Sequence, residues 1–162
     1  MNDRASELRA LFDRGFAEPP AGEAPATYDY LRVLVGGEPF ALPLVEIAAL
    51  HADLPVVAVP SPARELLGIA AVRSVLVPIY DLRLAIGAGA ALPARWTVLV
   101  RGGTAGFSFD GFEGHARTTV RVAVTEDGGV RPLVTLAGRS QPVIAIESLL
   151  KTIQSRWTKE TR

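Results

Sequence analysis

The side chains with reactive potential are few and scattered. Cysteine is absent, which excludes thiolate nucleophiles, disulfides and thiolate–zinc sites. The two histidines are His51 and His115. His51-Ala-Asp53 offers two possible metal ligands, but no further ligand stands at a metal-motif spacing. Ser108 lies among glycines in GFSFDG (106–111). The spacing is not G-x-S-x-G, and no helical pattern follows, which a nucleophile elbow requires. The wider stretch GGTAGFSFDGFEG (102–114) lacks the G-K-[ST] that cradles phosphate, and hairpin turns account for its glycines. Asp81, Asp110 and Glu113 are too dispersed to nominate as a general acid–base pair; Asp81 reads more simply as a helix cap. The expectation is a protein with no catalytic residue, no metal and no cofactor.

The surrounding elements are mostly short strands. YDYLRVLV (28–35) and EPFALPLVEI (38–47) flank Gly36-Gly37, a hairpin signal. Phe40 and Leu42 fall on one face, and Pro43 makes an uninterrupted central strand unfavourable there. VVAV (56–59) reads as a short buried strand closed by Pro60-Ser61-Pro62, and ARELLG (63–68) as one helical turn. GIAAVRSVLVPIY (68–80) is apolar except at Arg73 and Ser74, with a break at Pro78. Asp81 caps a short helix that Gly87 ends. WTVLV (96–100), Gly102-Gly103 and AGFSF (105–109) form a further hairpin. HARTTVRVAV (115–124), the turn Asp127-Gly128-Gly129, VRPLVTL (130–136), a turn at Gly138-Arg139 and PVIAI (142–146) follow. Leu149, Leu150, Ile153 and Trp157 give ESLLKTIQSRW (147–157) an amphipathic helical face. A second helix is expected over residues 1–18, where Leu8, Leu11, Phe12 and Phe16 form a stripe ended by Pro19-Pro20. Residues 1–26 thus form a helix and Pro/Ala/Gly linker, and residues 27–162 the main domain.

Composition narrows the partners. The chain has 162 residues, 49 % of them apolar, and 17 basic against 17 acidic residues. That length buries a core without staples. A neutral balance without a basic block argues against nucleic acid and against docking on acidic lipid. The apolar runs are broken well before membrane-spanning length. The N-terminus lacks a secretory pattern. These features suit a cytoplasmic protein without direct membrane insertion.

The constellation that stands out is LLGIAAVRSVLVPIYDLR (66–83), where Arg73 is isolated in a long apolar run. A buried guanidinium needs a partner. The alternative is exposure beside apolar neighbours, the composition of a protein–protein hot spot. The run resembles the CheW-like family, whose Gly-[VI]-x-N-L-R-G segment is followed by Pro and then Asp-Leu-Arg. Here it reads Gly68 to Ser74, then Pro78, then Asp81-Leu82-Arg83. GGEPFALPLVEI (36–47) is similar to the family's first hairpin, and VPSPARELLGI (59–69) to its Pro-x-x-Pro approach. AGFSFDGFEG (105–114) is similar to its Val-Asp-x-Val strand, with Asp110 as the aspartate. PVIAIESLL (142–150) is similar to its last strand and closing helix. The chain departs at Ala71 and Ser74, which stand for the motif's Asn and Gly, and at Ala49, which stands for a common Glu. The stretch between Thr119 and Val134 is short. With Ala49 in that place, Glu46 is the candidate acid for Arg73.

The resemblance implies an all-β fold of two intertwined SH3-like five-stranded β-barrels, with short helices at the N- and C-termini. It implies a scaffold that joins the cytoplasmic tip of a chemoreceptor to the regulatory domain of a CheA-type histidine kinase. Its receptor- or kinase-binding residues would be Ile47, Leu50, Val72, Arg73, Ser74 and Val75, gathered at a cleft between the barrels. Two alternatives stay open: a divergent homologue that binds receptors without the kinase, acting as a ring spacer or attenuator, and a regulatory β-barrel module with a small-ligand pocket.

Overall fold

The computed structural model describes residues 25–119 and 132–160. The helix expected over residues 1–18 and the turn at Asp127-Gly128-Gly129 lie outside them. The described elements are β1 (Tyr28–Val35), β2 (Glu38–Pro43), a 3-10 turn (Leu44–Glu46), β3 (Ile47–Ala52), β4 (Leu66–Val72) and β5 (Val75–Asp81). Then come α1 (Leu82–Ile86), β6 (Trp96–Val100), β7 (Gly106–Phe109), β8 (Gly111–Thr118), β9 (Leu133–Leu136), β10 (Arg139–Pro142) and α2 (Ile146–Glu160). The strands form three sheets, β2-β1-β8, β10-β9 and the five-stranded β3-β6-β7-β5-β4. All ladders are antiparallel except β5–β7, which is parallel.

The fold is thus mostly β with few helices, as expected, but among the described residues no sheet closes into a barrel. Proline cannot donate to a ladder, and prolines bound two segments that stay outside the sheets. VVAV does not form the expected strand. Between Pro55 and Pro60 only Val57 pairs, as an isolated bridge to Ile69 of β4. PVIAI is not a strand either. The β10 ladder ends at Pro142, Val143 makes a single bridge to Ala41 of β2, and Ile146 already opens α2. ARELLG forms a bare turn before β4 rather than helix. Pro78, expected to break its run, lies inside β5 opposite Ile69. It is tolerated there because the β5–β7 ladder starts only at Ile79.

Alternation decides the cores. Leu31, Val33 and Val35 of β1 and Phe40 and Leu42 of β2 join Val98, Val100, Phe107 and Phe109 in one large core. Helix α2 seals it with Ile146, Leu150 and Ile153, while Leu149 and Trp157 pack at its margin. Ion pairs Arg101–Glu147 (3.2 Å) and Arg156–Glu65 (3.4 Å) hold α2 to the five-stranded half. The opposite faces build two smaller cores. Tyr30 and Ala41 meet Val134, Leu136 and Val143. Ala70, Val77, Ile79 and Leu99 form the other, with Ala49, Leu54, Val56, Leu67 and Val72 packed against it.

The chain passes from the five-stranded sheet to the three-stranded one at Asp110, between β7 and β8. Its carboxylate oxygens accept the backbone N–H groups of Gly36 and Gly37 at 2.5 and 2.9 Å. Both glycines have positive φ, 61° and 79°, as a two-residue hairpin turn requires. Gly36 also abuts Gly89 so closely that a Cβ there would lie 2.7 Å from the Gly89 Cα. Removing this grip leaves two turn donors without their charged acceptor. Asp110→Ala is expected to cost about 2 kcal/mol, read as a lower urea midpoint with unchanged slope; an unaltered midpoint would exclude a structural role for the contact.

Candidate functional site

The β4–β5 hairpin carries the arginine singled out by the sequence. Val72 pairs with Val75, so Arg73-Ser74 is the two-residue loop between them. Both loop residues have positive φ, 48° and 67°. That is the backbone of a type I′ turn, usually built from Asn and Gly. Arg73 is exposed, and among the described residues no carboxylate pairs with it. Glu46 is not its partner. The Glu46 carboxylate accepts the Glu147 backbone N–H at 3.0 Å, at the start of α2, where four N–H groups lack helical acceptors.

The hairpin presents an apolar outer face. Cross-strand pairs Ile69–Pro78 and Ala71–Leu76 share one side of the ribbon. Leu76 is 68 % exposed and Ala71 is exposed beside it, while Val75, at the tip on the side of Val72, is 58 % exposed. On the inner side Val72 packs against the small core. The six nominated residues therefore do not line one cleft. Arg73, Ser74 and Val75 stand together at the tip with Val72 beneath them. Ile47 and Leu50, on β3 at the far edge of the same sheet, pack against the large core instead. Ala49 faces the small core, so the position where the family often has Glu offers Arg73 no acid. Ala71, Leu76 and Pro78 went unrecognised in the sequence. Their signal was alternation, but it appears only once the turn is placed at 73–74, because both faces of this hairpin are apolar.

The other chemistry-bearing residues are dispersed by the fold. His115 Nε2 meets Asp29 Oδ1 at 2.6 Å, and Arg117 Nε meets the same oxygen at 2.8 Å, across β1 and β8 on the surface. His51 is on β3. Asp81 caps α1, accepting the Leu84 N–H at 3.1 Å, and Gly87 closes that helix in the left-handed conformation. Ser108 is buried and bonded to Thr97. Among the described residues no group of three potential ligands gathers for a metal.

Two outcomes follow from this geometry. Burial, outweighing the Glu147 N–H, pushes the Glu46 carboxyl above its ordinary value of 4.5. Such a group holds its proton more tightly in the folded state. The stability it contributes is complete below the unfolded pKa and is lost as pH rises through the folded one. Glu46→Gln keeps a carbonyl acceptor for the helix and abolishes the titration. Relative to the parent, its urea midpoint is expected to fall less on going from mildly acidic to neutral pH; identical profiles would refute the assignment. Ser74 occupies a left-handed position that glycine adopts without penalty. Ser74→Gly is expected to raise stability by about 1 kcal/mol, measured by thermal or urea unfolding, and a loss of stability would contradict the turn geometry.

Comparison with known proteins agrees with the architecture. A model of the CheW-like domain matches residues 29–154, from β1 well into α2. No curated protein matches the chain. Among solved structures it is similar to the scaffolding protein TtCheW from Thermoanaerobacter tengcongensis, with a TM-score of 0.59 and 17 % identity. That alignment covers 74 % of this chain and 89 % of the other, and at such identity it is a likeness of fold. The family match spans most of the chain and includes the hairpin with its lone arginine, so this chain belongs to the CheW-like domain family.

Proposed function

We propose that this protein is a non-catalytic adaptor of a chemosensory array, coupling the cytoplasmic tip of a chemoreceptor to a CheA-type histidine kinase. The observation that carries the reading is the β4–β5 hairpin. It exposes an apolar ribbon, with Leu76 and Val75 largely open to solvent, and ends in an arginine that has no carboxylate partner among the described residues. Arginine within apolar surface is favoured at interface hot spots, where desolvation strengthens its contacts. Family membership and a likeness to a scaffolding protein support the same reading.

The work of such a protein is geometric. Binding free energy fixes receptor and kinase relative to one another, so that a small receptor shift biases the kinase equilibrium. A receptor helix would lay apolar anchors, repeating at helical spacing, along Ile69, Ala71, Leu76 and Pro78. Arg73 at the tip would meet an acidic residue on that helix. Operation in the cytoplasm, recruited to receptor arrays, belongs to the same proposal; no described helix is long and apolar enough to cross a membrane.

A second reading is favoured by one position. Ala49 packs into the small core where the family often has Glu, and Glu46 is committed to α2. A chain lacking that acid would bind receptors but not kinase, as a ring spacer or attenuator. Pull-down with the kinase regulatory domain separates the two readings.

The test is co-sedimentation with receptor-bearing membranes. Arg73→Glu and Leu76→Glu are each expected to weaken binding about thirtyfold, the scale of a hot-spot loss near 2 kcal/mol, with circular dichroism unchanged. Undiminished co-sedimentation of both variants would remove the hairpin from the interface.

A further inference from the structure

The small core of the five-stranded sheet ends in a polar row. His51 of β3 is the cross-strand neighbour of Thr97 of β6, and Thr97 is that of Ser108 of β7. Residues directly opposite one another share a face, so the three lie side by side across adjacent strands. Thr97 and Ser108 are only 3 % and 5 % exposed, and their hydroxyl oxygens are 2.7 Å apart. Two hydroxyls carry two O–H donors and four lone pairs. Their mutual bond uses one donor and one lone pair. Among the described residues no acceptor takes the second O–H. Beside them, His51 Nε2 is buried without a hydrogen-bond partner among the described residues.

Buried polar groups are normally satisfied, so a row of spare capacity at the end of an apolar core calls for a ligand. Thr97 and Ser108 line a pocket of about 310 Å³ whose other walls include Leu54, Val56, Ala58 and Leu67. At its rim Arg95 pairs with Asp53 at 3.5 Å. That pair is charge-balanced and gives an ion no net attraction.

We infer that this pocket binds a small neutral molecule with an apolar body and a single alcohol or primary-amide head. Such a head accepts the spare O–H and donates to a free hydroxyl lone pair, the two functions the row leaves unused. The apolar body lies against Leu54, Val56 and Leu67. The volume is at the lower end of small-molecule sites, which restricts the ligand to one ring or a short branched chain. The inference stands apart from the adaptor reading, because the pocket is lined by neither the loop nor the outer face of the β4–β5 hairpin.

The full-length protein, labelled at leucine and valine methyl groups, is titrated by NMR with benzyl alcohol, benzamide and isobutyramide. Saturable shifts are expected at Leu54, Val56 and Leu67. Binding is expected to weaken at least tenfold in Thr97→Val/Ser108→Ala, with the fold checked by circular dichroism. Thr97→Ser, which retains the hydroxyl, is expected to bind as the parent does and serves if the double variant does not fold. The absence of shifts with all three probes would mean a pocket filled by water alone and would overturn the inference. So would undiminished affinity in a folded double variant, or loss of binding in Thr97→Ser.

Discussion

One carboxylate clamps the junction where the two halves of this molecule meet. Asp110 sits where the chain leaves the five-stranded sheet for the three-stranded one, and it reaches across to both N–H groups of the Gly36-Gly37 turn. Hydrogen bonds to a charged acceptor are stronger than those between neutral groups. The contact sets where the β1–β2 hairpin ends relative to β7. That placement lies at the margin of the core shared by the alternating faces of β1 and β2 and covered by α2. The close approach of Gly36 to Gly89 adds a steric limit that only glycine meets. The aspartate that resembled a strand residue of the family is, physically, a clamp on a turn.

Much of the architecture was readable because turns and alternation are local. Gly36-Gly37, Gly102-Gly103, the Asp81 cap and the apolar face of α2 each announce an element within a few residues. The misread segments share a different property. VVAV and the part of PVIAI beyond Pro142 are largely β-branched and apolar, yet they pair only by isolated bridges, and prolines, which have no N–H to give a ladder, bound both segments. Burial against a core rewards the same residues whether or not they are hydrogen-bonded in a sheet, so composition alone does not separate a strand from a packed extended segment. Pro78 is the mirror case, a proline inside a strand whose missing N–H falls where one ladder has not yet begun.

The candidate site was half legible for a related reason. Arg73 is conspicuous as a lone charge in an apolar run, and exposure was one of its two expected fates. Its setting was not visible, since Arg-Ser lacks the Asn or Gly that marks a type I′ turn. Without the turn, the inner and outer faces of the hairpin were not assigned, and Leu76 stayed hidden among other apolar residues. Ile47 and Leu50 stand apart from the tip because strand order, which no local pattern encodes, puts β3 and β4 at opposite edges of one sheet and turns those two side chains to the large core. Glu46 was claimed by a helix terminus more than a hundred residues further along, a long-range demand that only the fold reveals.

The pairing of β1 with β8 has a temporal side. The Asp29–Arg117 contact joins residues 88 positions apart, and all five strands of the five-stranded sheet are encoded between them. On the ribosome β1 must emerge with one neighbour, β2, and wait for the second, β8, until the whole of that sheet has been made. Distant pairings of this kind slow folding and leave a sticky edge open meanwhile. A nascent chain built this way has reason to depend on its own acidic and basic edge residues, Asp29 and Arg32 among them, to keep that waiting ribbon from finding the wrong companion.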